Sequence, residues 1–217
     1  MGKVALKPAE TTKVPALIEV PDIETQIVPF YLKGLSPLLV NNFSEKSKAQ
    51  LEGESTGKIN KGKLGAKGKP PRDPEAEFQA ARVLNDDGRD CIPARWIKQA
   101  LVTAAGMSDV NIDQKVVQRT LFVRGDLIPI ECKKGPRMRT DWVRRGRWNA
   151  KVPMQCYRAE FVDWSIKIQI EFEPKLISHA WLVFLVRRAG LSVGLCEWRP
   201  EKKGEMGRFD IVMSPAK

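Results

Sequence analysis

The chain has 217 residues, 42% of them hydrophobic, enough for one sizeable core and too many for a disordered tail. No apolar run approaches the ~20 residues that cross a bilayer, so a membrane role is not expected. Four cysteines far apart in sequence (Cys91, Cys132, Cys156, Cys196) and a single histidine, His179, leave no ligand set for structural zinc and read as reduced thiols of a cytoplasmic protein.

The net charge of +11 is unevenly placed. Gly57 to Arg72, GKINKGKLGAKGKPPR, has six basic residues and no acid; Lys133 to Lys151, KKGPRMRTDWVRRGRWNAK, has eight and one Asp. These two segments exceed the whole net charge, so the rest of the chain is close to neutral. Such concentration favours a polyanionic partner, the alternative being two solvated basic loops.

In chain order, residues 1–22 contain Pro8, Pro15 and Pro21 and no continuous apolar stretch, which predicts a flexible arm rather than a signal peptide. Residues 23–217 then read as one domain. Ile27, Val28, Phe30, Tyr31 and Leu32 predict a strand ending at Gly34, and Ser44 is placed to cap a short helix. Residues 53–74, rich in Gly and Lys, predict a mobile loop, and Glu75 to Ala81 a short helix. In ARVLNDDGRDCIPA, Asp87-Gly88 predicts a type I′ hairpin turn.

ARWIKQALVTAAG follows, a helix between Pro93 and Gly106 with Trp96, Ile97, Ala100, Leu101 and Ala104 on one face. Thr120 to Ile130 predicts a strand bent at Gly125-Asp126, before the basic Arg/Trp insertion 132–151. Cys156 to Phe172 alternates as one half-buried strand. Next comes a helix with Leu176, Ile177, Ala180, Trp181, Phe184 and Leu185 on one face and Gly190 as its cap. A glycine-rich loop and a last strand, Arg208 to Val212, complete the chain. This order predicts an α+β fold: a ferredoxin-like or RRM-like antiparallel sheet, helices packed on one face, and two long basic insertions.

Catalytic patterns are sparse. His179 stands at the edge of a helical apolar face, and Asp86, Asp87 and Asp90 suit a turn better than a two-metal site. There is no GxxxxGK[ST] phosphate loop and no Ser/His/Asp order, so neither a cofactor nor an enzyme is expected; metal-independent RNA cleavage by Lys, Tyr or Arg stays open.

Near the C-terminus, GLCEWRPEKKGEMGRF combines glycines able to approach a ligand closely, forked or point cations (Arg199, Lys202, Lys203, Arg208) and Trp198 as a stacking surface. Together with Gly34-Leu35-Ser36-Pro37-Leu38-Leu39 and IPARWIKQALVTAA (Ile92 to Ala105), the run Ala189 to Ile211 resembles the RAMP superfamily. These are the RRM-like proteins that form the backbone of CRISPR effector complexes, with related phage-encoded proteins. The chain departs from the pattern at Cys196, where the family often has a second glycine.

The resemblance implies a non-enzymatic protein that grips the sugar-phosphate backbone of single-stranded RNA or DNA and assembles side by side along it, as a homo-oligomer or as a subunit of a ribonucleoprotein. The two basic segments fall where the family inserts thumb-like and finger-like elements. Candidate binding residues are Lys58, Lys61, Lys63, Lys67 and Lys69; Arg95 and Lys98; Arg137, Arg139, Arg144, Arg145 and Arg147; and Trp198, Arg199, Lys202, Lys203 and Arg208. The alternatives are a RAMP-type endoribonuclease and a phage protein that binds or mimics a CRISPR subunit.

Overall fold

A computed structural model describes residues 22–42, 73–107, 109–145 and 152–213. The strand β1 (Gln26–Gly34) is central to the larger sheet: it runs antiparallel to β8 (Ser165–Phe172) on one side and to β9 (Phe209–Val212) on the other. The far edge of β8 is paired by β4 (Phe122–Val123) and β5 (Leu127–Glu131), and β5 in turn pairs β3 (Cys91–Pro93). The bend between β4 and β5 falls at Gly125 (φ 86°), so the two act as one interrupted strand. Last strand, first strand, third segment, second segment is the ferredoxin-like order, and every adjacent pair is antiparallel.

The residues explain the layering. Along β8, Ile166, Ile168, Ile170 and Phe172 are buried while Lys167 and Gln169 face outward, the period of two of a half-covered strand. Each such side chain contributes about 2 kcal/mol by leaving water. Against this inner face lie the helices α2 (Ala94–Ala105) and α4 (His179–Arg188), which bury Ile97, Leu101 and Ala104, and Leu182, Leu185 and Val186. Trp164 is fully buried, donates from Nε1 to the Ser36 carbonyl at 2.8 Å and meets Phe209 edge to face. A Cβ at Gly34 would fall 2.2 Å from that Nε1, so only glycine admits the indole.

A second sheet, ordered β2-β7-β6, comprises β2 (Leu38–Val40), β7 (Val152–Phe161) and β6 (Arg137–Arg145). Leu38, Val40, Ala159 and Phe161 carry it into the common core, beside the helix α1 (Pro74–Ala81), which Asp73 caps.

Several elements differ from expectation. The run 156–172 is two strands, because Trp164 turns inward as a plug and Asp163 takes φ 56° to make the corner. The second amphipathic helix begins at His179, capped by Ser178, and buries a stripe through Leu182, Leu185 and Val186; Leu176 and Phe184 are 51% and 39% exposed. Gly190 is no cap. It lies in a π-helical turn, Ala189–Val193, where a Cβ would fall 2.1 Å from the Phe209 carbonyl oxygen.

The turn at Asp87-Gly88 has positive φ at Gly88 alone, with Gly88 N–H bonded to the Asn85 carbonyl. That is a type I turn closed by a left-handed glycine, not type I′. A short helix, α3 (Gln114–Thr120), was not expected; its seven residues are too few to display a period, and Asp113 caps it. The Ser44 helix, the arm 1–21 and the loop 53–72 lie outside the described residues.

Candidate nucleic-acid interface

Period-two patterning also builds the outer face of the small sheet. Arg137, Arg139 and Asp141 of β6 stand opposite Glu160, Arg158 and Cys156 of β7. Arg139 reaches Asp141 at 3.1 Å and Glu160 at 3.0 Å, Arg158 reaches Asp141 at 2.9 Å, and Arg137 pairs with Glu160. The terminal loop completes the chain of charges: Glu197 accepts from Arg158 and, at 2.9 Å, from Asn41. Three guanidiniums thus meet three carboxylates, with Arg158 and Glu160 only 4% and 3% exposed.

Burial opposes charge on Arg139, Arg158 and Glu160 and is outweighed. Hydrogen bonds donated to Glu197 and Asp141 hold the Arg158 guanidinium above its ordinary pKa despite desolvation. Against the same opposing desolvation, Arg137 and Arg139 hold the Glu160 carboxyl below its ordinary range. Removing Arg158 leaves Glu197 without a cation, while Asp141 and Glu160 keep Arg139.

The loop seated on this network is backbone-strained. Cys196 (φ 62°), Trp198 (φ 52°) and Lys203 (φ 63°) are three of the four non-glycine residues with positive φ among the described residues. Neighbouring chain fixes them. Glu197 N–H bonds to the Leu39 carbonyl at 3.0 Å, Leu195 N–H to Gly207, and Gly207 N–H to Pro37. The Trp198 ring has the Arg139 and Arg158 guanidiniums each 5.3 Å from its centroid, and the residue remains 39% exposed.

The loop glycines serve close approach, but to the loop's own backbone. A Cβ on Gly204 would fall 1.8 Å from the Trp198 carbonyl oxygen, and one on Gly207 2.0 Å from that of Leu195. The cysteine at the position where glycine was expected sits in the left-handed region, the conformation that favours glycine.

The expected binding residues divide accordingly. Arg137 and Arg139 belong to the neutral network, and Arg199 is tied to Glu201 at 2.7 Å and to the Cys196 carbonyl. Lys202 is 63% exposed and 3.8 Å from Glu201, Lys203 is exposed, and Arg208 is half-buried, its backbone bound to Leu35 and Ser36. On α2, Arg95 is exposed, while the Lys98 ammonium lies 4.5 Å from the Phe122 ring centroid. Among the described residues Arg95, Lys203 and Arg208 form no ion pair.

Arg144 and Arg145 stand on β6 opposite Pro153 and Val152. Arg147 and Lys58, Lys61, Lys63, Lys67 and Lys69 lie outside the described residues. Sequence reasoning missed Asn41, Asp141, Arg158, Glu160 and Glu197. The signal was present as charges at every second position, Arg-x-Arg-x-Asp and Arg-x-Glu, on both strands of the hairpin.

His179 packs edge-on against Phe172, with centroids 5.1 Å apart. Asp90, from the acidic turn, is held by both ends of the Arg82 guanidinium. Among the described residues no three His, Cys, Asp or Glu side chains are grouped to hold a metal, and no helix is long and apolar enough to cross a membrane.

No family model matches the chain, and no curated protein does. Among solved structures, a chain of the Type III-B Cmr-beta complex bound to cognate target RNA superposes with a TM-score of 0.50 at 9% identity, covering 87% of this chain and 59% of that one. The two chains share a fold. The chain spans about three fifths of that structure's length, and at such identity the likeness concerns fold alone. Cmr6 from Pyrococcus furiosus is similar at a TM-score of 0.45 and 11% identity, covering 88% of this chain and all of that one.

Proposed function

We propose that the chain is a non-enzymatic, RAMP-related protein that binds single-stranded nucleic acid, RNA foremost, as a subunit of a ribonucleoprotein assembly. The observation that carries this is the separation of charge in the C-terminal third. Arg137, Arg139 and Arg158 of the small sheet are spent on carboxylates and hold the loop in place, while Lys202, Lys203, Arg208 and, from α2, Arg95 remain directed to solvent or unpaired. Trp198, clamped by two guanidiniums yet partly exposed, adds an aromatic surface beside them. A basic track with an aromatic platform is the physical requirement for sequence-tolerant binding of a single strand.

Two further points support it. The motifs that carry the family resemblance, Gly34 to Leu39 and Ala189 to Ile211, come together in the fold: Leu35 and Ser36 N–H groups bond the Arg208 carbonyl, and Gly207 bonds Pro37. The neighbouring structure of like fold is of a complex bound to target RNA.

The test is fluorescence anisotropy with a labelled RNA strand and a DNA strand of the same sequence, alongside incubation of the RNA with and without EDTA. Binding of RNA that weakens on deleting the 2′-hydroxyls, with the strand intact in both incubations, is expected. Cleavage would replace this proposal with a nuclease. Absence of binding at low salt would replace it with a protein partner.

A further inference from the structure

A cavity of about 180 Å³ opens between α2 and the terminal loop. Its volume is close to the ~150 Å³ that holds a benzene ring in an engineered protein cavity, and too small for a whole nucleotide with its phosphate. Ala100 and Leu195, both buried, supply apolar surface, and Trp96 supplies a half-buried aromatic wall. Gln99 lines it with an exposed amide that has no hydrogen-bond partner among the described residues. The loop side presents the carboxylates of Glu197 and Glu201 together with the Arg199 guanidinium, which is bound to Glu201.

Charge decides what enters. The cation in the wall, Arg199, is already held by Glu201, and Glu197 lies beside it, so the cavity offers a phosphate no free cation. Cations neighbour the lining residues along the chain: Arg95 stands one helical turn before Gln99, on the same stripe of α2, and Lys202 and Lys203 follow Glu201. Phosphates held by these cations would leave the neutral part of the nucleotide to turn inward. Glu197 keeps its geometry through Arg158 and Asn41, and Glu201 through Arg199, so the cavity is formed before any ligand arrives.

We infer that this cavity receives one unstacked nucleobase of the bound strand, with Trp96 against the base and the Gln99 amide at its polar edge. The inference rests on the strand-binding function proposed above and adds a base-reading element to it.

The experiment compares two RNA strands, one normal and one in which stable abasic residues replace the bases, each titrated against wild type, Gln99→Ala and Trp96→Leu. Wild type is expected to bind the normal strand at least about tenfold more tightly than the abasic one, since the abasic strand also loses stacking on Trp198. Both variants are expected to lose about tenfold on the normal strand, the share of a single stacked base, while binding the abasic strand as wild type does. Gln99 is exposed, so its variant reports on the cavity even if Trp96→Leu perturbs packing. Equal wild-type affinity for the two strands, or equal losses on both strands in the Gln99 variant, overturns the base site and leaves backbone binding standing. Failure of wild type to bind either strand overturns both.

Discussion

The Arg158 guanidinium, 4% exposed, is hydrogen-bonded to the carboxylate of Glu197, 39 residues further along the chain. This contact joins a strand of the small sheet to the loop that closes the large one. It makes the position of Trp198, Lys202 and Lys203 depend on residues that touch no ligand themselves.

Replacing Arg158 by Ala leaves Glu197 without its cation, while Asp141 keeps Arg139. Because Glu197 is about a third exposed and can rehydrate, a loss of about 3 kcal/mol is expected, at the low end for breaking a buried pair. Glu197→Gln keeps an acceptor for Asn41 and a polar contact for Arg158, so about 1 kcal/mol is expected. Denaturant midpoints at constant m-value measure both. Near-equal costs would mean that the charge of Glu197 matters more than its geometry.

Glu160 gives the network a pH signature. Its folded pKa is depressed below the unfolded ~4.3, so its contribution to stability is fully present above that value. The contribution is lost as pH falls through the folded pKa, where the unfolded chain binds the proton more readily. Stability measured against pH is therefore expected to fall below about pH 4 in wild type and to fall less steeply in Glu160→Gln. Parallel curves would show that the depression comes from elsewhere.

The loop glycines separate two kinds of strain. Gly204→Ala drives a Cβ into the Trp198 carbonyl, a backbone atom that cannot step aside, so a loss of about 1–3 kcal/mol and weaker strand binding are expected. Gly88→Ala meets open space and suffers only its φ of 74°, about 1 kcal/mol, with binding unchanged. Melting temperatures and anisotropy on the same preparations distinguish them.

The alternation of β8, the amphipathic period of α2 and the Pro93 and Gly106 boundaries were legible because a strand and a helix each impose their own period on buried residues. The break at Trp164 was not, since a tryptophan within an apolar run marks a plug only once the Ser36 carbonyl and Gly34 are known to lie beneath it. The site was legible by composition and not by wiring. Arg137 and Arg139 stand out as cations in sequence, but their partner Glu160 is more than twenty positions away and is brought opposite by register alone. The strained φ at Trp198 and Lys203 leaves no local sequence mark at all.

The most direct test of strand binding is the salt dependence of anisotropy with a labelled single-stranded RNA, for wild type and for Arg95→Ala/Lys202→Ala/Lys203→Ala. With about six phosphate contacts, log K is expected to fall against log[salt] with a slope near −4 for wild type, and near −2 for the triple variant at unchanged melting temperature. A wild-type slope near zero, or a triple variant that binds with the wild-type slope, would contradict it.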